Sequence, residues 1–191
     1  MPIGSDIFTS LEEIKESQIL VLVIPDKQYT DRLQGIVKEL SNNYQSICYV
    51  SLNRPYRTLK KNFEENRIDI GKFFFIDAIT KTAEIPTPTE NCEFISSPNA
   101  LTELSLAISN SLERKKFDYI LFDSLSTLLV YESDIVVTQF VHFLMAKIRV
   151  VGCRAIFTCL KQDLDSVLLK DINMFADRVI DMEYWSPDGS R

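Results

Sequence analysis

Six short apolar runs recur along the chain: QILVLVI at 18–24, SICYVSL at 46–52, KFFFIDAI at 72–79, DYILFDS at 118–124, CRAIFTCL at 153–160 and RVIDMEYW at 178–185. A strand with one wet face alternates apolar and polar residues, whereas a run with little alternation is covered on both faces. Helical periodicity fills the intervals. Residues 27–41 place Tyr29, Leu33, Ile36, Val37 and Leu40 on one face, and 55–66 open on Pro55, a favoured first-turn residue. A helix beginning at Ser97-Pro98 and ending near Lys115 carries Leu101, Leu104, Ile108 and Leu112 as a stripe. Residues 134–150 form a long helix, apolar over more than half its circumference, and 164–175 a short one. Strands alternating with crossovers of this length predict an α/β three-layer sandwich, with a mainly parallel central sheet and helices on both faces.

The 191 residues suit one domain, 1–191. Its expected margins are an N-terminal extension over 1–17 and a frayed tail at 186–191. Residues 80–97, with Pro86 and Pro88, read as an irregular excursion holding a short strand near 93–95. A hydrophobic fraction of 46% supplies a large core without staples or metals. The net charge of −6 disfavours nucleic acid and anionic membrane as partners, since both call for a basic face. No apolar run reaches the length of a membrane span, and 1–17 lack a secretory pattern, so a cytoplasmic location is expected. Cys48, Cys92, Cys153 and Cys159 form no C-x-x-C pair and read as free thiols, three of them in strand-like runs. The one histidine, His142, lies on an apolar helix and cannot build a metal site or a hydrolase triad. No metal site is expected. Arg54, Arg57, Lys60 and Lys61 make a local basic cluster, which reads either as a phosphate or acidic-partner grip or as a solvated helix face.

Three segments carry a family resemblance. Tyr49-Val50-Ser51-Leu52, with Pro55 two residues beyond Asn53, is similar to a KaiC-like strand that ends in a Glu pair and enters a helix. Residues 117–129, FDYILFDSLSTLL, resemble a Walker B strand with its following DSLS turn. Residues 175–183, FADRVIDME, resemble the entry to a late strand of the same proteins. In order and spacing the chain resembles the RecA/KaiC-like (RadA-related) P-loop ATPases. The resemblance implies a RecA-like sandwich, with Asp123 and Ser124 at the Walker B position.

The same resemblance locates two departures. A phosphate loop needs glycines so that backbone N–H groups can wrap the anion, a lysine on the phosphates and a Ser/Thr on magnesium. Its place is held by Pro25-Asp26-Lys27-Gln28-Tyr29-Thr30, and no glycine lies between Gly4 and Gly35. Lys27 comes too early, so Asp26 is expected to cap the next helix and Lys27 to be solvated. At the position where the family is expected to activate water stand Asn53 and Arg54, neither of them a useful base. Asp123 is then expected to cap the Ser124–Thr127 turn or to pair with a cation, with residual metal binding as the other reading. Asp77, Asp163 and Asp165 are expected near the same strand-end edge.

The resulting expectation is a degenerate family member without ATP hydrolysis, a pseudo-ATPase acting as a regulatory or protein-interaction module. It would have no required cofactor and either a protein partner or copies of itself as partners. The alternatives are a weak ATP-binding sensor and an ATPase completed by a partner subunit. The apolar belt of Ile135, Val136, Phe140, Phe143, Leu144, Ile148 and Val151 is either an interface or a sandwiched core helix.

Overall fold

A computed structural model describes residues 18–163 and 166–183. The extension 1–17, the tail 186–191 and Asp165 lie outside the described residues. Strands β1 (Ile19–Ile24), β2 (Ile47–Ser51), β3 (Phe73–Asp77), β4 (Cys92–Phe94), β5 (Tyr119–Asp123), β6 (Arg154–Leu160) and β7 (Arg178–Asp181) form one sheet. Their order is β4-β3-β2-β5-β6-β1-β7, and every neighbouring pair is parallel. The helices are α1 (Tyr29–Asn43), α2 (Tyr56–Glu65), α3 (Thr80–Ala83), α4 (Leu101–Arg114), α5 (Leu125–Tyr131), α6 (Asp134–Val151) and α7 (Val167–Ile172).

Alternate residues of each buried strand enter two different cores. Val21, Val50, Phe122 and Phe157 pack under α4, α5, α6 and α7. Leu20, Tyr49, Phe75 and Leu121 pack under α1 and α2. The sheet is thus the middle of three layers. On the α2 side Tyr49, Phe63, Phe73 and Phe75 form an aromatic cluster with ring centroids 4.9–6.2 Å apart. Such pairs add about 0.5–1.5 kcal/mol each beyond their buried area.

Two motif carboxylates lock the amino edge of the sheet. Asp118 Oδ2 accepts from the N–H groups of Gln45 and Ser46, both at 3.0 Å, joining the start of β5 to the start of β2. Asp177 Oδ2 accepts from the N–H groups of Gln18 and Ile19, both at 2.8 Å, and Oδ1 meets Arg149 at 2.8 Å. Burial opposes ionisation of Asp177, but Arg149 and the two N–H donors override it and hold the carboxyl below its usual range. Gly152 ends α6 at φ 72°, a left-handed conformation that suits glycine.

Several sequence expectations change. A 3₁₀ turn, Asp26–Gln28, precedes α1, and Asp26 makes no capping hydrogen bond. Drawn into that turn, Asp26 no longer occupies the cap of the α-helix, and Gln28 N donates to the Pro25 carbonyl instead at 2.9 Å. The stretch after Asp123 is not a simple turn but the helix α5, whose Leu125 and Leu128 are fully buried. The excursion at 80–97 holds α3 and β4. The α6 belt divides: Phe140, Leu144 and Ile148 are core, whereas Ile135, Val136, Phe143 and Val151 are exposed, together with Val150.

Candidate functional site

Parallel pairing aligns the last residues of three neighbouring strands. Ser51 of β2 stands opposite Asp77 of β3 on one side and Asp123 of β5 on the other. Both carboxylates are completely buried at the carboxyl edge of the sheet, and each must find partners there.

Asp77 meets this need with local donors. Its Oδ1 accepts from Ile79 N at 2.7 Å and Thr80 N at 2.9 Å, and its Oδ2 from Tyr56 N at 2.6 Å and the Thr80 hydroxyl at 2.5 Å. It pins the starts of α2 and α3 to the end of β3 and does not reach the cleft described below.

Asp123 draws its donors from three separate elements. Tyr29 at the start of α1 donates its hydroxyl to Oδ1 at 2.6 Å, and Asn53 Nδ2 reaches the same oxygen at 2.9 Å. Tyr49 of β2 donates to Oδ2 at 2.8 Å. The Thr158 hydroxyl of β6 lies 2.7 Å from the Tyr29 hydroxyl and 3.2 Å from the Phe122 carbonyl. Burial, followed by the Asp123 charge, raises both the Tyr29 and the Tyr49 phenol well above the ordinary tyrosine value. Both hydroxyls therefore remain proton donors at neutral pH. Among the described residues Asp123 thus neither caps the following helix nor pairs with a cation, the two structural roles expected of it. The Asp123–Ser124 peptide is cis.

A second ring of hydroxyl and amide groups orients Asn53. Ser124 Oγ lies 3.4 Å from Asn53 Nδ2 and 3.1 Å from Thr127 Oγ1, and the Thr127 hydroxyl donates to Asn53 Oδ1. Arg54 turns away from Asp123: its guanidinium donates to the Thr30 hydroxyl at 2.9 Å, and its backbone is held by Ser51 Oγ. Above this network opens a cleft of about 470 Å³ bounded by Tyr29, Arg54, Ser124, Thr127, Tyr131 and Asp163.

The sequence-derived residues are thus partly assembled. Asp123, Ser124 and Asn53 meet directly. Thr30 and Arg54 meet each other at the rim. Pro25, Asp26 and Lys27 form the connection from β1 to α1, a 3₁₀ turn in which Asp26 and Lys27 are exposed. Asp163 reaches the cleft. The basic cluster disperses: Lys61 pairs with Glu65 at 3.7 Å, while Arg57 and Lys60 line another cavity. His142 stacks on Phe175 with centroids 4.2 Å apart. The sequence reading places Tyr29 on a helix face and Tyr49 and Thr158 in strand runs, and singles out none of them as a site residue. The available signal was Tyr49 itself, a phenol in the middle of a fully buried strand, which needs a polar partner.

A seven-stranded parallel sheet covered on both faces, with an acid at the end of a central strand, defines a RecA-like α/β domain. Among solved structures 138 chains match significantly. One is a KaiC-like protein from the hyperthermophilic archaeon Pyrococcus horikoshii OT3, with TM-score 0.63, 15% identity, and coverage of 86% of this chain and 72% of that one. Residues 19–182 match the family of unknown function DUF7504, and the chain belongs to that family. No curated protein matches significantly. Among the described residues no helix is long and apolar enough to cross a membrane.

Proposed function

We propose that this chain is a KaiC/RecA-like domain that has given up ATP hydrolysis and acts as a regulatory or protein-interaction module. The observation that carries this reading is the commitment of both Asp123 oxygens to side-chain donors. In a working relative the matching carboxylate turns lone pairs toward the water shell of magnesium. Here Oδ1 serves Tyr29 and Asn53, and Oδ2 serves Tyr49. The residues present fit Mg·ATP poorly, since the Tyr29 hydroxyl, 2.6 Å from Oδ1, and Asn53 hold the oxygen that a magnesium water shell would need.

Two further features support the reading. The β1–α1 connection is a short turn with no residue at positive φ, so it offers no concave row of N–H groups to an anion. Asn53, at the position expected to activate water, is spent on holding Asp123 and Thr127. Exposed apolar side chains on α5 and α6, including Val130, Ile135 and Phe143, provide surface for a protein partner or a second copy.

The test is phosphate release from Mg·ATP by the purified protein and by its Asp123→Asn variant. Equal rates at the buffer background are expected. Turnover by the parent that the substitution abolishes would instead support an ATPase with rearranged groups.

A further inference from the structure

A second cavity, of about 340 Å³, lies between α2 and the excursion that follows β3. It shares no lining residue with the cleft beside Asp123. Arg57 and Lys60, three residues apart on α2, both line it. Among the described residues neither cation makes an ion pair or a side-chain hydrogen bond, whereas neighbouring Lys61 pairs with Glu65. Tyr56 and Phe94 supply half-buried rings to the same wall, with centroids 6.2 Å apart. The far wall carries Pro86 and Pro88, which restrict its backbone.

We infer that this cavity is a binding site for a phosphate monoester. Two cations on one wall, neither in an ion pair among the described residues, outnumber the single lining carboxylate Glu84 in a chain whose net charge is −6. A guanidinium fork and a lysine point charge together match a phosphate dianion. The cavity exceeds the size of bare phosphate and falls within the range of small-molecule sites, so the ester carries an organic body against Tyr56 and Phe94. Glu84, also on the lining, repels a second anionic group and accepts hydrogen bonds. It thereby selects a body bearing hydroxyls, as in a sugar phosphate. This inference is independent of the reading of Asp123.

The experiment is an NMR titration of the full chain with inorganic phosphate, ribose 5-phosphate, ribose and a phosphoserine peptide. Saturable shifts at the Arg57, Lys60 and Thr87 amides are expected, with ribose 5-phosphate binding at least about tenfold tighter than ribose. Ribose 5-phosphate should also bind more tightly than the phosphopeptide, and the reverse order would overturn the assignment to a sugar phosphate. Arg57→Ala/Lys60→Ala should weaken binding at least about tenfold, and Glu84→Gln should tighten it about two- to fivefold. All three side chains are exposed, and an unchanged amide spectrum elsewhere confirms the fold. Failure of any ester to saturate, shifts confined to the cleft beside Asp123, or indifference to both variants would overturn the inference.

Discussion

Replacing Tyr49 by phenylalanine removes one buried oxygen and keeps the ring against Phe63 and Phe75. The lost hydroxyl is the one donor that Asp123 Oδ2 has among the described residues. A hydrogen bond to a charged group contributes about 1.5–3 kcal/mol, and an orphaned buried charge pushes the cost toward the upper end. Tyr49→Phe should therefore destabilise by ~2–3 kcal/mol. Tyr29→Phe should cost less, ~1–2 kcal/mol, because Asn53 still serves Oδ1. For a chain of this size the Tyr49 variant corresponds to a fall in Tm of about 5–10 °C. Urea unfolding followed by circular dichroism reads both, and the slope against urea should not change. A Tyr49→Phe protein within about 0.5 kcal/mol of its parent would refute the reasoning, as would a Tyr29 variant that is clearly the weaker of the two.

The raised phenols of Tyr29 and Tyr49 keep protons in the folded state that the unfolded chain loses near pH ~10. Stability should be intact below that pH and fall above it by up to ~1.4 kcal/mol per pH unit for each phenol. The Tyr29→Phe/Tyr49→Phe double variant should show a flatter alkaline limb in urea titrations, and identical slopes would contradict this. Burial pushes the Cys153 thiol up to about 11 and the Cys159 thiol up to about 12, and raises Cys48 and Cys92 further. Alkylation at pH ~8 should thus be slow for all four until the protein unfolds, and rapid labelling of the native chain would show the packing to be wrong. Asp77→Ala deprives four donors of their acceptor and should cost ~3–5 kcal/mol by urea unfolding, against under ~1 kcal/mol if the carboxylate were merely a neighbour.

The sheet was legible because unalternated runs such as Ile19–Ile24 admit few environments other than a strand covered on both faces. Helix α5 was not, since its seven residues follow directly from β5 and carry too few turns to show a period. At the site, Asp123, Ser124 and Asn53 could be found by resemblance and position. Tyr29 could not, because its place on the apolar face of α1 is satisfied by its ring, and the hydroxyl's partner lies far away in sequence on β5. Asp26 misled for a local reason: a 3₁₀ turn displaced the helix start, and with it the cap. The basic cluster divides through helical geometry, which sends residues 57 and 60 to one side and residue 61 to another.

The most direct test of the central claim is a calorimetric titration of Mg·ATP into the intact protein. With Asp123 already holding Tyr29, Tyr49 and Asn53, no saturable heat is expected up to about 1 mM nucleotide. Micromolar binding that disappears in Asp123→Asn would contradict it.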